Sequence, residues 1–584
     1  MVGKWGIQVR IVYLEIQNFR GIKSLDWAPA AGMNCLIGPG DSTKTTILDA
    51  IELCLNPRSY SFAEDCDFFD LDIEKPVRIT VTLAGLPGDF KAEDRYGLHL
   101  RGWNQNATKI EEEPGAGLED ALTITVVIDQ SLEARWSIHN DRIDATEKDP
   151  PAVRYKDTKR MGTNRLGPYA ERHLGWGRTS VLTRIGEAGE GYSLQLAEAG
   201  RAARTAFRAG DQGIFKKAVD RAEELSKLFS VPVRGKFTAE LDVQGVSITS
   251  GGIALHDGNL PLRRLGTGSS RLLVSALQHD AGPPHIAIVD EIEHGLEPHR
   301  VARLLKYLKT PKGADGAAQP QMFVTTHSPV VIRELTASDI FAVRSSAGVT
   351  TVASVSRLAK DPDTAQRHLR RTPEAFLARK VLVGEGRTEQ GLMRGLDGWW
   401  HASGQDSFAL QGAVPIDGGG KDKAPMIAEH LRDLGYEVWL LLDSDKPPNA
   451  EALRRATDKG AILWQWPDNC STEQRLFLDL PWTGVRALIA LAIDCVGQDS
   501  VIAVLDNALE AADLPTVSAA KLGLERDTVD MRRLIGKVAN DKSWFKDISR
   551  GEGLASIVGQ HLDAVAATPL AKGLGAMREW VDGA

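Results

Sequence analysis

The feature that most constrains the fold is a segment near the N-terminus in which an apolar strand, a glycine loop and an amphipathic helix follow one another. It reads MNCLIGPGDSTKTTILDAIELCL over residues 33–55. The loop nearly fits the phosphate-binding pattern G-x-x-x-x-G-K-[ST], with Gly38, Lys44 and Thr45 in register and Thr43 in place of the second glycine. Because backbone N–H groups at a helix N-terminus bind phosphate, the segment predicts an α/β unit that binds a nucleotide.

The predicted nucleotide-binding residues form one continuous run through this loop. Lys44 would add a positive charge to the phosphates, and the Thr45 hydroxyl would ligate the Mg²⁺ ion that accompanies ATP. Thr43 places a Cβ where such loops are usually tight, and the sequence leaves open whether this lowers the affinity for nucleotide. The run comprises Gly38, Pro39, Gly40, Asp41, Ser42, Thr43, Lys44, Thr45 and Thr46.

Two further apolar strands, far downstream, end in residues suited to ATP hydrolysis. The segment PPHIAIVDEIEHGLEP (283–298) ends its strand at Asp290 and Glu291, a Walker B arrangement. Asp290 would hold Mg²⁺ through water, and Glu291 would polarise the attacking water. In QMFVTTHSPVVI (321–332), His327 follows a buried strand and precedes Ser-Pro, which favours a role at the γ-phosphate over that of a structural histidine.

A glycine–serine loop lies between these motifs. The segment RRLGTGSSRLL (263–273) would open a helix and present Gly266 and Gly268 to a phosphate. Together with LEIQNFRGI (14–22), which looks like an opening strand, the motifs resemble the ABC-type ATPases of the SMC and RecF group, and we name 263–273 the signature loop. In that group two heads sandwich ATP, so the resemblance implies a dimer. An ABC transporter is disfavoured because the chain lacks an apolar run of about 20 residues.

The stretch between the motifs predicts a helical insertion. Residues 204–229 carry apolar residues at near-helical spacing, including Phe207, Ile214 and Phe215, with charged residues between them. The pattern fits either a dimerisation arm or a packed helix pair without a role of its own, and it is too short for an SMC coiled coil. We expect an ATPase head in two parts, a helical insertion and a last domain, with boundaries at 1–149, 150–245, 246–372 and 373–584.

The last of these parts contains two apolar strands that each run into a pair of carboxylates. VLVGEGRTEQGLM leads into Glu385 and Glu389, and GYEVWLLLDSDKPPNAE leads into Asp443 and Asp445. The carboxyl ends of parallel strands meet at one edge of a sheet, so we expect the four side chains to lie close together. Crowded like charges repel one another without a cation, and hard oxygen donors suit Mg²⁺ or Mn²⁺. The pattern therefore predicts a metal site.

This carboxylate pattern resembles the TOPRIM domain of topoisomerases, primases and related nucleases. An ATPase head followed by TOPRIM resembles the OLD (overcoming lysogenisation defect) nuclease family, including the large subunit of Gabija-type defence systems, and the resemblance covers nearly the whole chain. It implies an α/β fold with an ABC/SMC-like ATPase head and a Rossmann-like TOPRIM domain. It also implies that Glu473 in CSTEQRLF is a metal ligand and that Lys546 in KSWFKDISRGEGLA acts beside the scissile phosphate.

The expected function is an ATP-binding and ATP-hydrolysing, divalent-metal-dependent DNA endonuclease or nickase, in antiviral defence or DNA processing. With paired metals, one ion would lower the pKa of a water and the other would stabilise the leaving 3′ oxygen. The alternative from another class is a DNA-repair ATPase clamp of the RecF type, with TOPRIM as a non-catalytic scaffold. The sequence gives no Cys/His zinc module for a primase-like polymerase and no tyrosine domain for a covalent topoisomerase.

Composition and charge bear on the expected partners. The net charge of −8 excludes a globally basic nucleic-acid coat, so DNA contacts are expected at local patches or through metal ions. Five scattered cysteines without a C-x-x-C pair predict reduced thiols in the cytoplasm. The expected partners are DNA, further copies of the chain in a dimer or larger homo-oligomer, and a UvrD-like helicase encoded nearby, with no membrane. Whether ATP activates or inhibits cleavage does not follow from the sequence.

Overall fold

A computed structural model gives the fold of the chain. Its residues divide into unit 1, formed by 1–10, 85–87 and 154–322, and unit 2, formed by 11–84, 88–153 and 323–584. The structure describes residues 9–56, 63–144, 151–154, 157–158, 161, 163–166, 174, 180, 182, 192–210, 213–228, 236–239, 254–280, 285–310, 320–357, 362–514, 516 and 527–583.

Strands and helices follow one another along the described residues, which confirms the α/β class expected from the sequence. The strands are β1 Arg10–Phe19, β2 Ile22–Trp27, β3 Met33–Ile37, β4 Val77–Ala84, β5 Arg101–Asn104, β6 Lys109–Glu111, β7 Glu119–Ile128, β8 Ala134–His139, β9 Thr163–Leu166, β10 His256–Asp257, β11 Leu260–Pro261, β12 Ile286–Val289, β13 Gln321–Thr325, β14 Ile340–Ser346, β15 Val349–Ser354, β16 Lys380–Gly384, β17 Ala413–Asp417, β18 Glu437–Leu442 and β19 Ile462–Gln465. The helices are α1 Lys44–Leu55, α2 Asp141–Asp144, α3 Tyr192–Ala209, α4 Gly213–Leu228, α5 Thr267–Asp280, α6 Pro298–Lys309, α7 Pro329–Glu334, α8 Pro362–Arg371, α9 Arg387–Ala402, α10 Ala424–Asp433, α11 Ala450–Asp458, α12 Thr472–Asp479, α13 Trp482–Val496, α14 Gln498–Ala511, α15 Val529–Asp541, α16 Ile548–His561 and α17 Pro569–Asp582. Within the described ranges, no helix has the length and apolar character that a membrane crossing requires.

A large mixed sheet organises the first part of unit 2. Its strand order is β6-β5-β7-β4-β1-β2-β15-β14-β3-β13, with β8 paired to β7. The β4–β7 pair is antiparallel, whereas β14 runs parallel to β3, with Ile340 opposite Cys35. β3 is buried along its whole length, as expected for an apolar strand inside a sheet that contains parallel pairs. It leads directly into the glycine loop and α1, whose Ile47, Leu48 and Ile51 are buried. The sheet thus positions the predicted phosphate loop at the carboxyl end of a parallel strand.

Unit 1 contains a short parallel strand pair and amphipathic helices. β9 lies beside β12, with Thr163 opposite Ile286, and β10 and β11 form a small hairpin. Within the predicted helical segment 204–229, the described residues form the end of α3 and the whole of α4, whose Phe207 and Phe215 rings lie 6.0 Å apart. Because β9 falls within residues 150–245, the expected insertion also contains a strand.

A separate parallel sheet in unit 2 has the strand order β17-β16-β18-β19. Gly384, at the end of β16, lies opposite Asp417 of β17 and Leu441 of β18. β16 has parallel neighbours on both sides, so its apolar residues are buried between them. The carboxyl ends of the three strands therefore meet at one edge, as the carboxylate pattern predicts.

Helices pack closely around this sheet. A Cβ at Gly391 of α9 would lie only 2.3 Å from the carbonyl oxygen of Ile548 at the start of α16, so the two helices approach at a distance that needs a glycine. The core beneath them includes Leu392, Trp466, Phe477, Trp544 and Phe545. Burial of Trp544 and Phe545 anchors the segment that precedes Lys546 to the helices around the sheet.

Candidate functional site

Glu385 and Glu389 are placed by the turn from β16 into α9. A Cβ at Gly384 would lie 2.6 Å from the Cβ of Glu389, so this glycine lets α9 begin directly after the strand. Glu389, in the first turn of α9, is buried, and its Oε2 accepts a hydrogen bond from the Gly386 N–H at 2.7 Å. A carboxylate in the first turn also interacts favourably with the helix dipole. The local sequence therefore holds Glu389 in one orientation.

Asp443 follows β18 and lies against the start of α12. Its Oδ1 accepts hydrogen bonds from the backbone N–H of Thr472 at 2.8 Å and from the Thr472 hydroxyl at 2.9 Å. Its own backbone N–H donates to Glu385 Oε2 at 3.1 Å. Glu385 and Asp443 thus lie side by side at the sheet edge.

Glu473 and Lys546 are connected to this edge through Thr388. The hydroxyl oxygen of Thr388 lies 3.2 Å from Glu473 Oε1 and 3.2 Å from the carbonyl oxygen of Phe545. Glu473 is only 1% exposed, so it is a carboxylate held inside the protein. Lys546 directly follows Phe545, and its side chain is exposed. The structure therefore brings the later acidic residue and the segment carrying the lysine to the same part of unit 2.

Glu385, Glu389, Asp443 and Glu473, hereafter the carboxylate cluster, act on one another electrostatically. Burial, and next the charge of Glu473, raise the pKa of Glu389 to about 7. Burial and the charges of Glu389 and Glu385 raise the pKa of Asp443 well above its ordinary value. Burial also raises the pKa of Glu385, and the positive charge of Lys546 is among the smaller effects that oppose it. Like charges this close together are unfavourable without a compensating cation or proton, and carboxylate oxygens are the type of ligand that a divalent cation prefers.

Asp445, the second carboxylate after β18, has a different neighbour. It accepts a hydrogen bond from Asn540 Nδ2 at 3.4 Å. In the part of the chain that the structure describes, no three His, Cys, Asp or Glu side chains are placed to hold one metal ion. The carboxylates of Glu389 and Asp443 are turned toward N–H and hydroxyl donors, and an ion would have to share or replace these contacts. The two-metal site therefore stays a prediction.

The predicted phosphate loop curls around its own lysine. Lys44 Nζ donates to the carbonyl oxygens of Pro39 at 2.7 Å and Gly38 at 3.1 Å, and to the Ser42 hydroxyl at 3.0 Å. Gly38 has a φ of 149°, and a Cβ there would lie 2.5 Å from the carbonyl oxygen of Val343 in β14. Only a glycine fits this position without movement of the sheet. The loop backbone is therefore fixed by the strand beside it.

Thr43 keeps the backbone geometry that a glycine would adopt. Its φ of 65° and ψ of 13° are left-handed, which costs a residue with a Cβ roughly 1–2 kcal/mol. Its hydroxyl lies 2.6 Å from the carbonyl oxygen of Ser42 and 3.2 Å from the Thr350 hydroxyl. These contacts hold the strained residue in place at the start of α1. Thr45, in the first turn of that helix, is exposed to solvent.

In unit 1, Asp290 and Glu291 follow β12, as the sequence predicts. Asp290 Oδ2 accepts a hydrogen bond from Arg165 Nη2 of β9 at 3.2 Å. Glu291 has a left-handed φ of 46°, and its exposed carboxylate lies 3.5 Å from His294 Nδ1. Strained backbone of this kind is concentrated at functional sites.

The signature loop packs directly against this turn. Arg271, which is 1% exposed, donates from Nη2 to the carbonyl oxygens of Asp290 at 2.8 Å and Glu291 at 3.0 Å. A Cβ at Gly268 would lie 2.0 Å from the carbonyl oxygen of Gly295, so the helix start and the turn need a glycine between them. Arg271 is not among the site residues predicted from the sequence, where its signal is a charged residue inside the apolar helix segment SSRLLVSAL.

Gly266 and His327 are two further predicted residues, and both are exposed. In unit 1, a Cβ added at Gly266 would meet nothing within 4 Å. In unit 2, His327 follows β13, and the next residue, Ser328, caps α7 by accepting a hydrogen bond from the Val330 N–H at 3.2 Å. The strand end and the helix cap together fix where His327 lies.

The threonines that orient the carboxylate cluster are not among the predicted site residues either. Thr388 and Thr472 each precede a cluster glutamate, and each lies in the first turn of its helix. The signal in the sequence is a repeated triplet, because Thr-Glu-Gln occurs at residues 388–390 and again at 472–474.

Comparison with known families identifies an ATPase domain. Residues 194–333 match the family described as "AAA domain, putative AbiEii toxin, Type IV TA system". The matched range contains the signature loop, Asp290, Glu291 and His327. The chain therefore carries an ATPase domain, as its motifs predict, and this supports ATP with its Mg²⁺ as the bound nucleotide.

Short segments of the chain are similar to characterised proteins. A segment of 71 residues, 12% of this chain, is 37% identical to the OLD nuclease of Thermus scotoductus and covers 13% of that protein. A segment of 50 residues, 9% of this chain, is 50% identical to the DNA replication and repair protein RecF of Vibrio vulnificus and covers 14% of it. The matches thus span only a small part of either relative.

Two solved ATPase heads show a weak likeness to this chain. The recombination mediator protein RecF with ATP has a TM-score of 0.31 at 11% identity, covering 60% of this chain and 100% of that one. The SMC head domain from Thermotoga maritima has a TM-score of 0.27 at 14% identity, covering 59% of this chain and 98% of that one. Both TM-scores are too low to establish a shared fold.

Proposed function

We propose that this protein is an ATP-regulated, divalent-metal-dependent DNA endonuclease or nickase with a TOPRIM domain, of the OLD type. The observation that carries the proposal is the carboxylate cluster, in which two half-buried acids at strand ends and two buried acids at helix starts meet at one sheet edge. A protein core gains nothing from such crowding, whereas a divalent cation would compensate it. The segment that is 37% identical to an OLD nuclease supports the same assignment.

The chemistry that follows is hydrolysis of a phosphodiester. Bound Mg²⁺ or Mn²⁺ would supply an activated water and would stabilise the leaving 3′ oxygen. The carboxylate cluster and Asp445 would hold the ions, while Thr388 and Thr472 keep the carboxylates oriented. Lys546, exposed beside the cluster, would place a positive charge next to the scissile phosphate.

The ATPase domain would regulate this site from a second set of residues. Lys44 and its loop would bind the phosphates of ATP, Asp290 would hold Mg²⁺, and Glu291 would polarise the attacking water. His327 would contact the γ-phosphate, and the signature loop would complete the ATP site of a second copy. We retain the four-part division of the chain, a homo-oligomer, a UvrD-like helicase partner and a cytoplasmic location as parts of the proposal.

A second candidate is a RecF-type ATPase that binds DNA without cutting it. The observation that favours it is the segment that is 50% identical to RecF of Vibrio vulnificus. In that case the carboxylate cluster would be part of a scaffold, and the unfavourable crowding of its carboxylates would serve no function.

A plasmid assay separates the two candidates. Supercoiled plasmid is incubated with the full-length protein in Mg²⁺, Mn²⁺ or EDTA, with and without ATP. We expect nicked or linear product only with metal, and its loss in Asp443→Asn, which keeps an oxygen for Thr472 but removes the charge. Asp458→Asn, an exposed carboxylate of α11, is the matched control. An intact plasmid under every condition would favour the RecF-type reading, and cleavage by Asp443→Asn at the wild-type rate would contradict the nuclease site.

A further inference from the structure

A groove beside the carboxylate cluster has no role in the chemistry described so far. It has a volume of about 560 Å³ and follows β17, the edge strand of the parallel sheet. We call it the arginine groove, because arginines outnumber carboxylates among the side chains that line it. The charged residues of its lining are Arg333, Arg371, Arg387, Arg394, Glu374 and Asp417.

The acids of the groove orient its arginines without neutralising all of them. Asp417, at the end of β17, accepts a hydrogen bond from Arg371 Nη2 at 2.6 Å and lies 3.8 Å from Arg387 Nε. Arg333 pairs with Glu374 at 2.8 Å. Ion pairs between exposed side chains are weak, so an incoming anion can share or take over these guanidinium groups. The fourth arginine, Arg394, pairs with Glu552 of α16 at 3.0 Å. Four arginines facing three carboxylates leave the groove with an excess of one positive charge.

The strand that lines the groove is joined to the cluster by the glycine turn after β17. The Gly418 N–H donates to the carbonyl oxygen of Gly384 at 2.9 Å, and the Gly420 N–H donates to that of Glu385 at 2.8 Å. A Cβ at Gly418 would lie 2.5 Å from the Gly384 carbonyl oxygen, so the turn is pressed onto the end of β16. The end of the strand that lines the groove is therefore held next to Glu385.

We propose that the arginine groove binds the phosphate backbone of the nucleic-acid strand that the carboxylate cluster cuts. This inference rests on the proposed nuclease function. Guanidinium groups present paired N–H donors that match phosphate oxygens, and a chain with a net charge of −8 needs a local positive surface to bind DNA. The lining residues that the structure describes include no aromatic ring on which a base could stack, so the contacts are to the backbone and independent of base sequence.

Fluorescence anisotropy with a labelled DNA duplex tests the groove separately from cleavage. Full-length protein is titrated in EDTA over a series of salt concentrations, and wild type is compared with Arg387→Ala/Arg394→Ala. These side chains are 64% and 53% exposed, so their truncation leaves the core intact. The control is Arg454→Ala/Arg486→Ala, which removes two exposed arginines on α11 and α13, outside the groove lining.

We expect the groove variant to bind DNA about tenfold more weakly or worse, because charge-assisted hydrogen bonds to phosphate are lost. The slope of log K against log salt should decrease by about 2, since each phosphate contact contributes about 0.9. The control should match wild type in both quantities.

Three results would overturn the proposed role of the groove. The first is wild-type affinity and salt slope in the groove variant, and the second is an absence of DNA binding by wild type. The third comes from a parallel titration with labelled polyglutamate: loss of polyglutamate binding in the groove variant, with DNA binding unchanged, would mark a site for an acidic protein segment. DNA binding that depends on the groove arginines, without plasmid cleavage, would instead support the groove as a DNA-binding site and contradict the proposed nuclease function. Cleavage that persists alongside unchanged binding in the variant would contradict the groove alone.

Discussion

Thr472 donates both its backbone N–H and its hydroxyl to a single oxygen of Asp443, at 2.8 Å and 2.9 Å. The same hydroxyl oxygen accepts a hydrogen bond from the indole N–H of Trp466 at 2.9 Å. Both Thr472 and Trp466 are buried. The orientation of one carboxylate of the cluster is therefore coupled to the packing of the core, through a residue that carries no charge.

Replacing Thr472 tests this coupling. Thr472→Val keeps the shape of the side chain but leaves the buried Trp466 indole N–H without its acceptor and removes a donor to Asp443. The free energy of unfolding should fall by roughly 1–3 kcal/mol. Thr472→Ser keeps the hydroxyl and should lie closer to wild type, and urea denaturation of the three proteins measures the difference. Valine and serine variants of equal stability would show that the hydroxyl contacts do not contribute.

The nuclease and ATPase activities should separate by mutation. Asp443→Ala and Asp445→Ala should each abolish metal-dependent cleavage, because a predicted metal ligand is lost in each. ATP hydrolysis should continue, because it depends on residues of other motifs. Plasmid cleavage and phosphate release are measured on the same preparations. Cleavage that persists in both variants would exclude the TOPRIM assignment.

The pKa of Glu389 predicts an unusual dependence of stability on pH. Burial first, and then Glu473, raise that pKa from 4.5 to about 7 in the folded protein. The folded state therefore binds more protons than the unfolded state between these values, and the free energy of unfolding should fall as the pH rises through this window. Ionisation of Glu389 should lower the free energy of unfolding by about 3 kcal/mol across this window, at 1.36 kcal/mol for each pKa unit.

Thermal unfolding in EDTA between pH 5 and pH 8 measures this dependence. Glu389→Gln keeps an acceptor for the Gly386 N–H but cannot ionise, so its Tm should fall less than that of wild type as the pH rises. Added Mg²⁺ should stabilise wild type more at pH 8 than at pH 5, because the ion competes with protons for the carboxylates. Parallel profiles of Tm against pH for the two proteins would contradict the raised pKa of Glu389.

The two ATPase residues should fail in different ways. Lys44→Ala should weaken ATP binding, since it removes both a charge and the contacts to Gly38, Pro39 and Ser42 that shape the loop. Glu291→Gln should bind ATP normally and hydrolyse it slowly, because only the water-polarising group is lost. Titration with a fluorescent ATP analogue and single-turnover hydrolysis measure the two steps. Wild-type turnover in Glu291→Gln would contradict the Walker B assignment.

The sheet edge could be predicted from the sequence because continuous apolar runs indicate buried strands and carboxylates follow directly after them. The apolar runs before Glu385 and Asp443 are β16 and β18, and their parallel pairing follows from the helices between them. The contacts of Thr388 and Thr472 could not be predicted, because they join residues far apart in sequence. The sequence also did not indicate that Glu389 and Asp443 accept hydrogen bonds from N–H and hydroxyl donors. In the described structure, no three side chains of the cluster are placed around one ion.

Local rules also failed where tertiary contacts compensate for strain. Thr43 departs from the phosphate-loop pattern, yet it takes the left-handed conformation of a glycine because Ser42 and Thr350 hold its hydroxyl. Near-helical spacing over 204–229 left a packed helix pair open but did not locate the helix ends at Ala209 and Gly213, since periodicity does not record where a helix ends. β9 has no such periodic signal, and its pairing with β12 depends on residues more than a hundred positions away.

The proposed composite ATP site makes a specific prediction about mixed assemblies. If the signature loop of one copy completes the ATP site of another, each site needs one intact phosphate loop and one intact signature loop from different chains. Lys44→Ala removes the first. Gly266→Asp removes the second, because a Cβ at Gly266 meets nothing within 4 Å and the added carboxylate would repel the phosphates without disturbing the fold.

Each variant alone should hydrolyse ATP poorly, and an equimolar mixture should recover activity. Half of the dimers in such a mixture are hybrids, and each hybrid has one wild-type site and one doubly defective site, so the rate should reach about a quarter of the wild-type rate per chain. Light scattering with and without ATP establishes that dimers are present, and a mixture of Lys44→Ala with Glu291→Gln is the matched control. Both of those defects lie outside the signature loop, so every hybrid site in the control carries one of them and no recovery is expected. A monomeric mass in all conditions, or a test mixture no more active than the control, would refute the shared site.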